Sequence, residues 1–210
     1  MVWKNLELLK QTRAKTLHMV HTLDQPQMDW EPQPGKWSAG EQLDHLLLAE
    51  KLYRGTIAEL IALVKSGKPA EIRRTLADID FRPNFIPSSA LPLFEIPFTI
   101  ANLFIPSGLR ELMIRRPLFP AQRPEIANPV KGKPAGALLR ALAESLHETV
   151  HLLESNRGMD FSRMTLEHPV LGKNDVPFLV KLIALHEQRH QEQIEAILAK
   201  LPASQSAVAV

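Results

Sequence analysis

The feature that most constrains this chain is an apolar stripe near its C-terminal end. Leu179, Leu182, Ile183, His186, His190, Ile194, Ile197 and Leu201 recur at steps of three and four residues. That spacing is one face of a helix, and such a face packs against other elements. Three further segments carry the same period. The first runs from about Val2 to Leu23, with Leu6, Leu9, Thr16, Val20 and Leu23 on one side. The second starts at Ser38 with Glu41 three residues later, a capping-box pair. It continues to the stop signal Ser66-Gly67-Lys68-Pro69. The third begins near Pro134 and runs to Gly158, with Leu139, Leu142, Leu146, Val150 and Leu153 as its stripe. The fourth takes Asn174 or Asp175 as cap, holds Pro177 in its first turn and ends at Leu201. The stretch "DQPQMDWEPQPGKW" reads as too rich in proline for helix. No strand pattern competes. The expected fold is all-α, an antiparallel four-helix bundle. It is expected as a single domain over residues 1–210, with a long insertion between the second and third helices at about 68–133.

That insertion has its own composition. Phe81 to Pro134 holds ten of the 17 prolines and six of the eight phenylalanines. Between Phe85 and Leu109 the only charge is Glu95. The stretch has the length of a bilayer span, but Pro87, Pro92, Pro97 and Pro106 would each break a regular helix. No transmembrane span is expected. The segment is expected to pack on the bundle; a lid, a dimer contact or an interfacial lipid contact are sharper readings.

Composition excludes several functions. The formal charge is +2, from 25 basic and 23 acidic residues, with no basic stripe carrying interleaved aromatics. No nucleic-acid partner is expected. The chain has no cysteine, which excludes disulfides, zinc knuckles and a thiol nucleophile of its own. The opening "MVWKNLELLKQTRAK" lacks an apolar signal core, so a cytoplasmic location is expected.

The histidines carry the chemistry. Two pairs stand four residues apart, His147/His151 and His186/His190. Register separates them. His186 and His190 lie within their apolar stripe, and buried imidazoles need partners. One metal ion would satisfy both. His147 and His151 fall one residue off their stripe and read as polar boundary residues, as do His18 and His21. The string His186-Glu187-Gln188-Arg189-His190 also fits the H-E-x-x-H pattern of zinc peptidases. The rest of a peptidase site is missing. Gln191-Glu192-Gln193-Ile194 stands where a metzincin has glycine and histidine. Glu192 and Glu195 share the histidines' helix and cannot close a tetrahedron. No edge strand is expected to hold a peptide.

The third ligand is therefore expected from upstream. His45 is the best candidate, on the second helix beside Leu43, Leu46 and Leu47. Glu41, Glu50 and Glu187 are candidates to orient a ligand or move a proton. Glu187 lies about 100° round the helix from His186, which would take it to the rim of the site; its plainer reading is a solvated charge. Arg189 reads as an interhelical ion-pair partner.

Two blocks of sequence resemble the DinB-like superfamily of metal-binding four-helix bundles. One is "MDWEPQPGKWSAGEQLDHLLLAEKLYR", Met28 to Arg54, with a Trp-Ser helix start and His45 seven residues after Ser38. The other is "EHPVLGKNDVPFLVKLIALHEQRHQEQIEAI", Glu167 to Ile197, with a His-Pro-x-x-Gly loop before a helix bearing His-x-x-x-His. Together they cover about a quarter of the chain. The insertion departs from the family pattern in length and proline content.

The resemblance implies a divalent metal, zinc or nickel foremost, on His45, His186 and His190, with positions open to water or substrate. It also implies a function: some members resemble thiol-dependent S-transferases that use bacillithiol, mycothiol or glutathione. The reaction it implies is attack of a low-molecular-weight thiol on a small electrophilic substrate, with metal-dependent hydrolysis, which needs only water, as the other enzymatic reading. The absence of cysteine fits a borrowed thiol. The alternative is a non-catalytic bundle in which metal, or hydrogen bonds between the histidines, ties the second helix to the fourth. The insertion would then serve a homodimer or another partner.

Overall fold

The computed structural model describes residues 1–75, 127–168 and 172–202. Among them are five helices and three short strands. In chain order these are α1 (Val2–Val20), α2 (Gln25–Asp29), α3 (Ala39–Lys65), β1 (Glu71–Arg73), α4 (Ala135–Glu154), β2 (Thr165–His168), β3 (Gly172–Asp175) and α5 (Val176–Leu198). A 3-10 turn, Phe161–Arg163, precedes β2. The result is a mostly helical bundle with a small mixed sheet. α5 packs on both α1 and α3, and α4 packs on α3.

The helix starts follow from local chemistry. The Ser38 hydroxyl accepts the Glu41 backbone N–H at 3.2 Å, and the Glu41 carboxylate accepts the Ser38 N–H at 2.9 Å. Two N–H groups that the first turn leaves orphaned or exposed are satisfied reciprocally. Asp175 caps α5 by accepting the Phe178 N–H at 2.8 Å, with a proline in the first turn.

Three expectations need correction. The proline-rich stretch after α1 contains a helix, α2, because Asp24 and Gln27 form another capping box and a proline occupies the first turn. A proline there loses no intrahelical bond. α2 buries Met28 against the start of α3. Gly40 permits that approach, since a Cβ at this position would lie 3.1 Å from the Met28 carbonyl oxygen.

The all-α expectation fails at the sheet. β1 pairs parallel with β2, and β2 antiparallel with β3. Each strand has only three or four residues, too few for alternation to stand out. The sheet buries Ile72 and Leu166, while Arg73–Glu167 and Lys173–Glu71 pair at 2.7 Å on its exposed side. β1 falls inside the span read as insertion, so the start of that span is joined to the approach to α5. Residues 76–126 lie outside the described residues, and with them the expected packing of Phe85–Leu109.

The third correction concerns α4. Its buried face is Leu138, Leu142, Ser145, Thr149 and Leu153. Leu139, Leu146 and Val150 of the expected stripe are only half-buried. Ser145 and Thr149 turn inward because they have partners there. Ser145 accepts from Arg54 at 2.7 Å, and the Thr149 hydroxyl donates to Glu50 at 2.7 Å.

The core divides along the bundle. One apolar cluster includes Leu6, Leu9, Ile57, Leu60, Leu179 and Ile183 with the sheet. The other includes Val20, Met28, Leu43, Leu142 and Ile194. Each large aliphatic side chain fully buried there contributes about 1.5–3 kcal/mol. Between the clusters lies a polar layer: Arg13 and Thr16 on α1, Glu50 on α3, Thr149 on α4, Glu187 and Gln191 on α5, all buried. No described helix is long and apolar enough to cross a membrane.

Candidate metal centre

His45 stands on the second turn of α3, and His186 and His190 stand one turn apart on α5. The structure brings all three together. Each offers a ring nitrogen, and the three nitrogens lie within 4.8 Å of one another. His186 Nε2 is 3.3 Å from His45 Nε2 and 3.1 Å from His190 Nε2. Ligands about 2.0–2.1 Å from a tetrahedral ion stand roughly 3.3 Å apart. The two separations from His186 match that spacing.

Two of the rings have their tautomers set. His45 Nδ1 is 2.7 Å from the Ala127 carbonyl oxygen. His190 Nδ1 is 2.5 Å from Gln42 Oε1. A carbonyl only accepts, so both Nδ1 atoms carry the proton and donate. In the neutral rings both Nε2 atoms are then lone pairs, each facing His186 Nε2. A ligating histidine is normally oriented in this way by a group behind it. The Trp37 ring covers one side of His45, with centroids 5.0 Å apart. His45 and His190 are buried, whereas His186 is half-buried on the more open side.

Sequence reasoning missed the orienting groups. Gln42 lies one turn before His45 on α3, next to the candidate Glu41, which is taken up by the Ser38 cap. Ala127 belongs to the far end of the insertion and carries no sequence signal at all. Asp44 secures that end. Its buried carboxylate accepts the Val130 N–H at 2.8 Å and the Lys133 ammonium at 2.7 Å.

Glu187 is not at the rim. It is 1% exposed and belongs to a buried ion cluster centred on Arg13. Arg13 Nε donates to Glu187 Oε1 at 2.9 Å, and Nη2 donates to Glu187 Oε2 at 3.0 Å. Nη2 also donates to Glu50 Oε2 at 2.8 Å, and Nη1 donates to the Leu142 carbonyl. The Thr16 hydroxyl donates to Glu187 Oε1 at 2.6 Å. Burial works against the Arg13 charge, but Glu187 and then Glu50 outweigh it and raise the guanidinium pKa. The 100° offset between Glu187 and His186 points toward α1, where Arg13 waits, and away from solvent. Arg13 did have a signal, since Leu9, Arg13, Thr16 and Val20 step by four, three and four. The glutamate that an H-E-x-x-H peptidase would use as base is thus occupied by Arg13 and Thr16.

Arg189 makes no ion pair among the described residues, and partial burial lowers its pKa. His147 and His151 are exposed, with ring centroids 6.5 Å apart. They flank an open groove between α3 and α4 that Lys51 and Arg54 also line. Replacing both His147 and His151 by alanine is expected to leave metal content unchanged. Loss of bound metal in that double variant, by elemental analysis, would show that the site involves α4.

The family model described as the DinB superfamily matches residues 8–194. No curated protein and no solved structure matches the chain. The matched span begins within α1, ends in the last turns of α5 and includes all three converging histidines. The chain belongs to the DinB superfamily.

Proposed function

We propose that His45, His186 and His190 hold one divalent metal ion, zinc or nickel, at a site serving the transfer of a low-molecular-weight thiol to a small electrophile. The observation that carries the metal reading is the convergence of three Nε2 atoms, two with tautomers set by carbonyls behind them. Three neutral imidazoles suit zinc, nickel, copper or iron. A three-histidine set leaves a coordination position open, as in catalytic zinc sites.

The chain's own residues have clear parts in this reading. Ala127 and Gln42 hold two imidazoles in the ligating tautomer. Trp37 shields one flank. His186 marks the side from which substrate enters, because it is the least buried of the three. A divalent ion bound there would acidify a thiol or water and polarise a substrate oxygen. The nucleophilic sulfur must come from outside, since the chain has no cysteine. A cytoplasmic setting supplies reduced small thiols, and a homodimer is compatible with this reading.

The test is metal analysis of untagged protein, followed by a conjugation screen with glutathione, bacillithiol and mycothiol against simple electrophiles. About one ion per chain is expected, with conjugation abolished by chelator. Stoichiometric metal without conjugation of any thiol would favour the second reading, a non-catalytic cross-link of α3 to α5. That reading is favoured by the split of the ligands between these two helices.

A further inference from the structure

The buried ion cluster is unbalanced, and its imbalance lies beside the histidines. Among the described residues the buried side chains of fixed formal charge are Arg13, Asp44, Glu50 and Glu187. Asp44 is neutralised by Lys133. That leaves one guanidinium between two carboxylates. Arg13 N–H groups donate to both oxygens of Glu187 and to Glu50 Oε2. The Thr149 hydroxyl stands 2.7 Å from Glu50 Oε1 and 3.1 Å from the Ser145 carbonyl, and the Thr16 hydroxyl 2.6 Å from Glu187 Oε1. With both glutamates ionised, the three side chains sum to one negative charge.

Arg54 reaches the Thr149 hydroxyl at 3.5 Å but is itself paired with Glu148, so the excess buried charge, costly when left alone, calls for a further counter-charge nearby. One narrow cleft is lined by Arg13, Glu50 and Glu187 together with His186 and Tyr53. Tyr53 adds no charge, since burial pushes its pKa up to about 12. Glu187 also adjoins His186 along α5.

Resting on the metal reading above, we propose that the Glu50–Arg13–Glu187 cluster is the built-in counter-charge of the metal centre. Its single excess negative charge offsets a divalent ion held by three neutral imidazoles. Glu50 and Glu187 do not touch the ion. They act through the field across the shared cleft and bias the site toward higher ionic charge. A −1 charge interacts twice as strongly with a +2 ion as with a +1 ion at the same point.

Glu50→Gln removes the excess charge while keeping side-chain size and an oxygen acceptor. Zinc(II) and silver(I) affinities should be measured by competition with chromophoric chelators, beside urea denaturation of the metal-free forms. Zinc affinity is expected to fall about a hundredfold and silver affinity about tenfold, because the effect scales with ionic charge. The metal-free variant should be at least as stable as metal-free wild type, since a buried excess charge has been removed. Equal losses for both ions, or loss of metal-free stability, would make Glu50 a packing group and overturn the proposal. Should Glu50→Gln fail to fold, Glu187→Gln removes the same unit of charge and is put through the same measurements. Wild type binding zinc with the variant unchanged would defeat this inference alone. Wild type binding no zinc would defeat the metal reading with it.

Discussion

His186→Ala is expected to lower zinc or nickel affinity by roughly a hundredfold. A complete structural zinc site is worth about 10–16 kcal/mol in small domains, so one of a few ligands carries about 3 kcal/mol. His186 is the member to remove because it is half-buried and central. Its Nε2 is within 3.3 Å of both other ring nitrogens, and its loss leaves only one ligand on each helix. The fold should persist, since the cores on either side do not depend on it. Chelator competition reads the affinity, and helical circular dichroism checks the fold. Unchanged affinity in a folded His186→Ala protein would remove His186 from the site and end the three-ligand reading. Any thiol-transfer activity should fall in proportion to bound metal.

Arg13→Met is expected to destabilise the protein by about 3–5 kcal/mol. That is a large part of the roughly 5–15 kcal/mol that holds a typical domain together. The methionine fills much of the arginine's volume but leaves Glu50 and Glu187 facing one another in the core. It also leaves the Leu142 carbonyl without its donor. The effect is electrostatic in origin, so it should be repaired by chemistry rather than by volume. Adding Glu50→Gln and Glu187→Gln to Arg13→Met is expected to recover more than half of the loss, because neutral amides can hydrogen-bond each other. Urea midpoints of the single and triple variants decide the matter. An Arg13→Met protein as stable as wild type would mean that the ion cluster contributes nothing to the fold.

Much of this was legible along the chain because it depends on neighbours three or four residues away. Ser38 with Glu41, and Asp175 with Pro177, announce helix starts through bonds formed within one turn. The stripe from Leu179 to Ile197 placed His186 and His190 inward, since side-chain direction on a helix follows from its period. His45 was legible as an inward histidine among leucines. The DinB resemblance then linked it to the other two, and the tertiary structure brings their nitrogens together.

What escaped was set across elements. Three-residue strands have no periodicity to read, and β1 forms only because β2 arrives beside it after more than ninety residues of chain. The α4 face turned by one position because Glu50 and Arg54, on another helix, recruit Thr149 and Ser145. Glu187 had the right angle from His186 but the wrong surroundings. A helical wheel gives direction, whereas burial depends on the neighbouring helix, here α1 with Arg13. The carbonyl behind His45 is a backbone atom of Ala127, and any residue in that place could supply it. The sequence by itself therefore determined the four long helices and the inward-facing stripe that carries His186 and His190. The tertiary structure decided which lone pairs meet, which groups orient them and which charges lie buried beside them, because hydrogen bonds and Coulomb fields act through space and not along the chain.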